Sequence, residues 1–186
     1  MCLVVALSVV VLAGCSRGDR RRVSVGDTVP AFSLVNWDGR RITPESLRGK
    51  STILAFTYAK CELACPLITT QLKVLDETIE SPPDVAYLHI SVNPVDDTPE
   101  EIRRHFGDHG IDPEKDTRWL FARGEEGSIR ELLSRFEISV QKKPVGESVL
   151  IDHTIKVWVM DPDGRLVASF DDYTWDEKEM IGAFRP

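Results

Sequence analysis

The chain of 186 residues is 42% hydrophobic and 28% charged, with a formal net charge of −7 and four cysteines. This describes one globular domain with a real core, and it excludes wholesale disorder, a disulfide-dense scaffold and a polytopic membrane protein. Arg17, Arg20, Arg21 and Arg22 against Asp19 give residues 1–22 a charge of +3, leaving −10 on residues 23–186. A domain this acidic lacks the basic face that phosphate neutralisation requires, so nucleic acid is not an expected partner.

Residues 1–14 are uncharged and almost wholly apolar. The run is too short for a stable transmembrane helix and fits the apolar region of an export signal. Its end, Leu12-Ala13-Gly14-Cys15, resembles the bacterial lipobox, in which the cysteine is acylated as the signal is removed. The expected organisation is a lipoprotein signal peptide over 1–14, lipidated Cys15 with a basic tether over 15–24, and a single domain over 25–186. Cys2 would leave with the signal and Cys15 would take the lipid. Cys61 and Cys65 then remain as thiols in an oxidising compartment, where free thiols need a reason to exist.

Along the domain, Ala31 to Val35 reads as a short strand that returns through the Asp38-Gly39 turn. Thr43 caps one helical turn begun by Pro44. Ser51 to Tyr58 is apolar, β-branched and too short for a helix, which predicts a buried strand. From Pro66, Leu67, Ile68, Leu72, Leu75 and Ile79 recur at helical spacing, and Pro82-Pro83 ends that helix. Val85 to Val92 is a second buried strand. Thr98 caps a second helix with Pro99 in its first turn. Trp119 to Ala122 is a strand and Ser128 to Phe136 a third helix. A loop carrying Lys142, Lys143, Pro144 and Gly146 follows. Ile155 to Met160 and Leu166 to Phe170 form a hairpin about the Asp161–Gly164 turn, and Asp176 to Phe184 is a weak last helix. Strands alternating with helices imply a central sheet covered on both faces, edged by the closing hairpin. The predicted fold is an α/β, thioredoxin-like sandwich with an N-terminal β-hairpin extension.

Cys61-Glu62-Leu63-Ala64-Cys65-Pro66 lies between a buried strand and a helix start, at the carboxyl edge of the sheet where open α/β folds bind ligands. The helix dipole and free N–H groups there favour thiolates, so the spacing predicts two activated thiols one helical turn apart. A structural staple is the weaker reading, because so short a loop restricts the unfolded chain by only roughly 2 kcal/mol. Three residues separate the cysteines where a thioredoxin redox site has two, and the peroxidase pattern of Pro and Thr or Ser ahead of the reactive cysteine is absent. Two thiolates do not complete a metal site, so a third ligand is sought among the four histidines. His89 sits in a buried strand pattern and reads as a core or sheet-end residue. His105 and His109 are an i, i+4 pair able to hold zinc, but on an acidic, solvent-facing helix with no local third ligand. Asp152-His153-Thr154 leads into the strand before the Asp161 turn, on a loop that faces the cysteines. Position alone leaves His153 open between a ligand and a loop anchor.

The segments Tyr58-Ala59-Lys60-Cys61-Glu62-Leu63-Ala64-Cys65-Pro66, Ser91 to Pro99, Asp152-His153-Thr154 and Asp161 to Arg165 together resemble the SCO/SenC family. That family comprises membrane-anchored copper proteins of cytochrome oxidase assembly. The resemblance implies that Cys61, Cys65 and His153 bind copper, as Cu(I) or Cu(II). Where family members usually carry Asp-Pro followed by Arg-Asp-Thr-Pro, this chain has Asn93-Pro94-Val95-Asp96-Asp97-Thr98-Pro99. The implied function is a copper metallochaperone that delivers to the binuclear copper site of cytochrome c oxidase subunit II or to another copper-protein client. The alternative is a thiol–disulfide oxidoreductase in which Cys61 and Cys65 are catalytic and reduce that subunit's cysteines. A monomer is expected, lipid-anchored in the bacterial cell envelope with its domain on the periplasmic face of the inner membrane.

Overall fold

Residues 21–79, 84–146 and 148–184 are described by a computed structural model. The expected export signal, Cys2, Cys15 and the expected stop at Pro82-Pro83 lie outside them. Three parallel strands make the centre of the sheet: β3 (Ser51–Thr57), β4 (Val85–Ser91) and β5 (Trp119–Arg123). The first two are buried along their whole length, which is why they read as apolar runs rather than as alternating strands. A short hairpin, β1 (Leu34–Asn36) and β2 (Arg41–Ile42), adds antiparallel to β5 at one edge. At the other edge β8 (Lys156–Met160) pairs antiparallel with β3, and β9 (Leu166–Asp171) closes the sheet in the order β2-β1-β5-β4-β3-β8-β9.

Because side chains alternate along each strand, the sheet feeds two cores. Leu54, Phe56, Leu88, Ile90 and Leu120 pack on one face against Ile129, Leu132, Leu133 and Phe136 of α3 (Glu126–Arg135) and its end. On the other face Ile53, Ala55, Tyr87, Trp119 and Phe121 pack against α1 (Ala64–Thr78), α2 (Pro99–Asp108) and Met180 of α4 (Glu177–Gly182). The expected two-faced α/β sandwich and its N-terminal hairpin are present. Thr98 caps α2 by accepting from the Glu101 N–H, with Pro99 at the first position.

Three expectations are corrected. The loop over 140–153 is a two-stranded antiparallel ribbon, β6 (Val140–Val145) and β7 (Ser148–His153), separate from the main sheet. Most of its described residues are exposed and only Ile151 among them is buried, too little to imprint a period of two on the sequence. The basic tether does not run free to residue 24. Val23 is buried in the core beneath α3, its N–H donates to the Arg135 carbonyl, and Arg22 pairs with Glu137 at 3.0 Å. Finally, α1 starts at Ala64, so Cys65 lies inside its first turn. Pro66 is tolerated there because the first N–H groups of a helix have no intrahelical acceptor.

Burial along α1 sets its sensitivity to substitution. Leu72 is fully buried, whereas Val74 on the same helix is exposed. Leu72→Ala is expected to cost about 2–5 kcal/mol and Val74→Ala no more than about 0.5 kcal/mol. Urea unfolding of the two variants checks both.

Candidate metal centre

The end of β3 delivers Tyr58, and the Cys61 N–H closes a turn back to the Tyr58 carbonyl at 3.2 Å. Four residues later the Cys65 N–H, unpaired within the first turn of α1, points at Cys61 Sγ at 3.4 Å. Both cysteines are free thiols, Cys61 partly exposed and Cys65 buried. On its open side Cys61 borders a cleft of about 380 Å³ that it shares with Lys60, Arg104, His105 and His109.

The two sulfurs are not equivalent, which corrects the expectation of two activated thiols. The hydrogen bond from Cys65, reinforced by the N–H groups of Cys65 and Leu63, holds Cys61 down at about 5 against its burial. The same hydrogen bond, with burial and the neighbouring thiolate charge, pushes Cys65 strongly up. Two sulfurs in contact cannot both ionise, so the first proton leaves Cys61 and the second is retained on Cys65.

His153 reaches the pair from the end of β7. Its Nδ1–H donates to the Thr154 carbonyl at 3.0 Å, which leaves the lone pair on Nε2, and Nε2 stands 3.7 Å from Cys65 Sγ. An imidazole fixed by a carbonyl on one nitrogen and bare on the other is the arrangement that metal-ligating histidines use. The structure therefore gathers the three sequence-predicted residues with Cys65 in the middle. Their contacts are pairwise: among the described residues, no three His, Cys, Asp or Glu side chains already stand as a finished metal cluster. Two sulfur donors and one imidazole form a soft-to-borderline set suited to copper in either common oxidation state.

The other histidines are used elsewhere. His89 is fully buried, 3.2 Å from the Thr57 hydroxyl and ringed by Phe106, Trp119 and Phe121. His105 is buried, not solvent-facing as the helix pattern predicts; its Nε2 lies 2.8 Å from Thr69 Oγ1, which donates to the Cys65 carbonyl. His109 donates from Nδ1 to the His105 carbonyl.

Two positioning residues escape the sequence reading. Tyr58 donates its hydroxyl to the Ile151 carbonyl at 3.3 Å and presents its ring edge-on to His153, so it ties the cysteine loop to the ribbon. Asp97 is buried, accepts the Ala59 N–H at 2.8 Å and the Ser91 hydroxyl, and clamps the base of the cysteine loop to the end of β4. Burial raises its carboxyl to about 6. Tyr58 reads as the last residue of a buried strand and Asp97 as part of a helix start, and no periodicity announces contacts across such separations. Asn93, at the departure from the family pattern, donates to Asp96 at 2.8 Å and accepts from Lys142 of β6 at 3.0 Å.

The profile of the SCO1/SenC family matches residues 21–185. The chain belongs to the SCO1/SenC family. It is 27% identical to the SCO1 protein homolog of Bacillus subtilis over 77% of this chain and 73% of that protein. The eukaryotic relatives it matches are longer, and the chain spans between 40% and 53% of their lengths. The structure of Bradyrhizobium japonicum ScoI with copper bound superposes with a TM-score of 0.65 at 26% identity, covering 86% of this chain and 96% of that one. BsSco, described as a member of the Sco family of cytochrome c oxidase assembly proteins, shares the fold at a TM-score of 0.69 and 24% identity, over 88% of this chain and 95% of that one.

The asymmetry of the thiols is directly measurable. In the reduced protein, iodoacetamide is expected to alkylate Cys61 at a rate that is flat from about pH 6 to pH 8 and falls toward pH 5. Cys65 should stay unmodified throughout. Mass spectrometry of the peptide carrying both cysteines reads this, and a rate that climbs through pH 8 contradicts the assignment.

Proposed function

We propose that the protein is a copper-binding assembly factor that holds the ion through Cys61, Cys65 and His153 and hands it to a copper-protein client. The observation that carries this reading is the Nε2 of His153 facing Cys65 Sγ at 3.7 Å, with the Cys65 N–H donating to Cys61 Sγ. Membership of the family and the copper-bound relative support it. Sulfur favours Cu(I), and the imidazole extends the set toward Cu(II). Loading displaces the proton that Cys65 retains, while Cys61 is already ionised at neutral pH, so the affinity falls as the medium is acidified toward pH 5. His153 closes the site from a ribbon outside the main sheet, and moving that ribbon opens one side of the ion for transfer.

The client this reading favours is the binuclear copper subunit of cytochrome c oxidase, as the family resemblance implies. Acylation at Cys15 would hold the domain at the periplasmic face of the inner membrane, where such a client stands. Leu12-Ala13-Gly14-Cys15 supports that anchorage.

A second reading rests on the thiol asymmetry. A partly exposed thiolate beside a buried, protonated partner is the arrangement of a thiol–disulfide exchanger. In that reaction Cys61 attacks a client disulfide and forms a mixed disulfide. Cys65 then loses its proton and attacks Cys61, releasing the reduced client and leaving a Cys61–Cys65 disulfide; two electrons pass to the client.

His153→Ala separates the readings. For the copper function, competition with a Cu(I) chelator should show one copper per reduced chain. The variant should lose more than the roughly 10–100-fold that loss of an outer-shell partner costs. Cys61→Ala and Cys65→Ala should abolish tight retention. Full copper affinity in His153→Ala, with client-disulfide reduction intact, would favour the exchanger and overturn His153 as a ligand.

A further inference from the structure

One face of this acidic domain runs against its overall charge. Arg21, Arg22, Arg135 and Arg165 line a single polar pocket of about 340 Å³ together with Asp27. Among the described residues, Asp27 pairs with Arg21 at 3.3 Å and Glu137 with Arg22 at 3.0 Å. Arg135 and Arg165 donate to the backbone carbonyls of Arg21 and Gly26, and among the described residues neither is placed in an ion pair. The nearby Asp161 carboxylate accepts the N–H groups of Asp163 and Arg165 in its own turn and does not line the pocket. The pocket therefore carries an excess of positive charge, although residues 23–186 together carry −10.

Its place in the fold is fixed by the sheet. Thr28 bridges Arg165, and the Val29 N–H donates to the Gly164 carbonyl, in the turn between β8 and β9. That turn lies beyond Met160, which pairs with Thr52 near the start of β3. Cys61 follows the far end of β3, so the arginine pocket and the cysteine site occupy opposite edges of the sheet, about 20 Å apart along the strand. In the sequence, Arg17 and Arg20 stand between the apolar run of residues 1–14 and Arg21. The stretch from Cys15 to Arg21 reaches at most about 20 Å, so a bilayer that holds the apolar run or an acyl chain on Cys15 lies within reach of these guanidinium groups.

We propose that this arginine face docks on the anionic phospholipid surface, with a headgroup phosphate in the pocket, and so points the Cys61–Cys65–His153 edge away from the bilayer. Guanidinium forks match phosphate oxygens in a bidentate way that an ammonium group does not. The acidic remainder of the domain is repelled by the same surface, so charge selects one orientation of the tethered body and not merely its proximity.

The test uses the full chain in nanodiscs of neutral phosphatidylcholine or of phosphatidylcholine with phosphatidylglycerol, read by amide hydrogen exchange. Phosphatidylglycerol should slow exchange several-fold in residues 21–29, 135–139 and 164–166, and leave the Cys61–Cys65 loop unchanged. The protection should vanish at high salt and in an Arg135→Gln, Arg165→Gln double variant whose thermal melt matches the parent. It should survive in an Arg103→Gln, Arg104→Gln control on α2. No lipid-dependent protection, or protection centred on the cysteine loop, overturns the proposal. Equal protection by inorganic phosphate in neutral discs also overturns it, because the pocket would then serve the free ion.

Discussion

The hydrogen bond between Cys65 and Cys61 is the interaction on which the site depends, and the fold supplies its geometry. A buried parallel strand stops at Thr57, six residues turn back, and a helix begins at Ala64. That path sets one sulfur beside the unpaired N–H groups of a helix start and the other inside its first turn. Contact makes the pair share a proton unequally, and exposure decides which sulfur is left charged at the surface. Asp97 is buried to hold the loop in this course, at the cost of a carboxyl group raised toward neutrality. Nucleophile, metal donor and exchange centre are alternative uses of one asymmetric thiol pair.

Against this rigid pair, His153 is delivered by a ribbon that belongs to no other sheet. Among the described residues, side-chain hydrogen-bond contacts across to the body are Tyr58 to the Ile151 carbonyl, Lys142 to Asn93 and His153 to Cys65. Thr154, just past the ribbon, meets Ser139 at its foot. The site is thus built half on the sheet and half on an arm whose Ile151 packs into the core it shares with α3.

The sheet was legible because its central strands are buried on both faces, and uninterrupted runs such as Ser51–Thr57 have few other solutions. The cysteine site was legible because strand, cysteines and Pro66 occur in an order that places them at a carboxyl edge. The ribbon was not legible: Lys142, Lys143 and Pro144 lie on exposed strands, and hydrophobic patterning cannot register strands that bury a single described residue, Ile151. His153 became interpretable as a ligand only through family resemblance, since its approach to Cys65 spans 88 residues. His105 misled for a related reason. Acids and arginines surround it in sequence, yet its own face of α2 turns inward to Thr69.

The central claim is that two sulfurs and one imidazole bind a single ion. Copper K-edge X-ray absorption of the reduced, copper-loaded protein tests it most directly. The account predicts two sulfur scatterers and one imidazole nitrogen, with the nitrogen contribution lost in His153→Ala. A first shell of nitrogen and oxygen alone, or one unchanged by replacing His153, would contradict it.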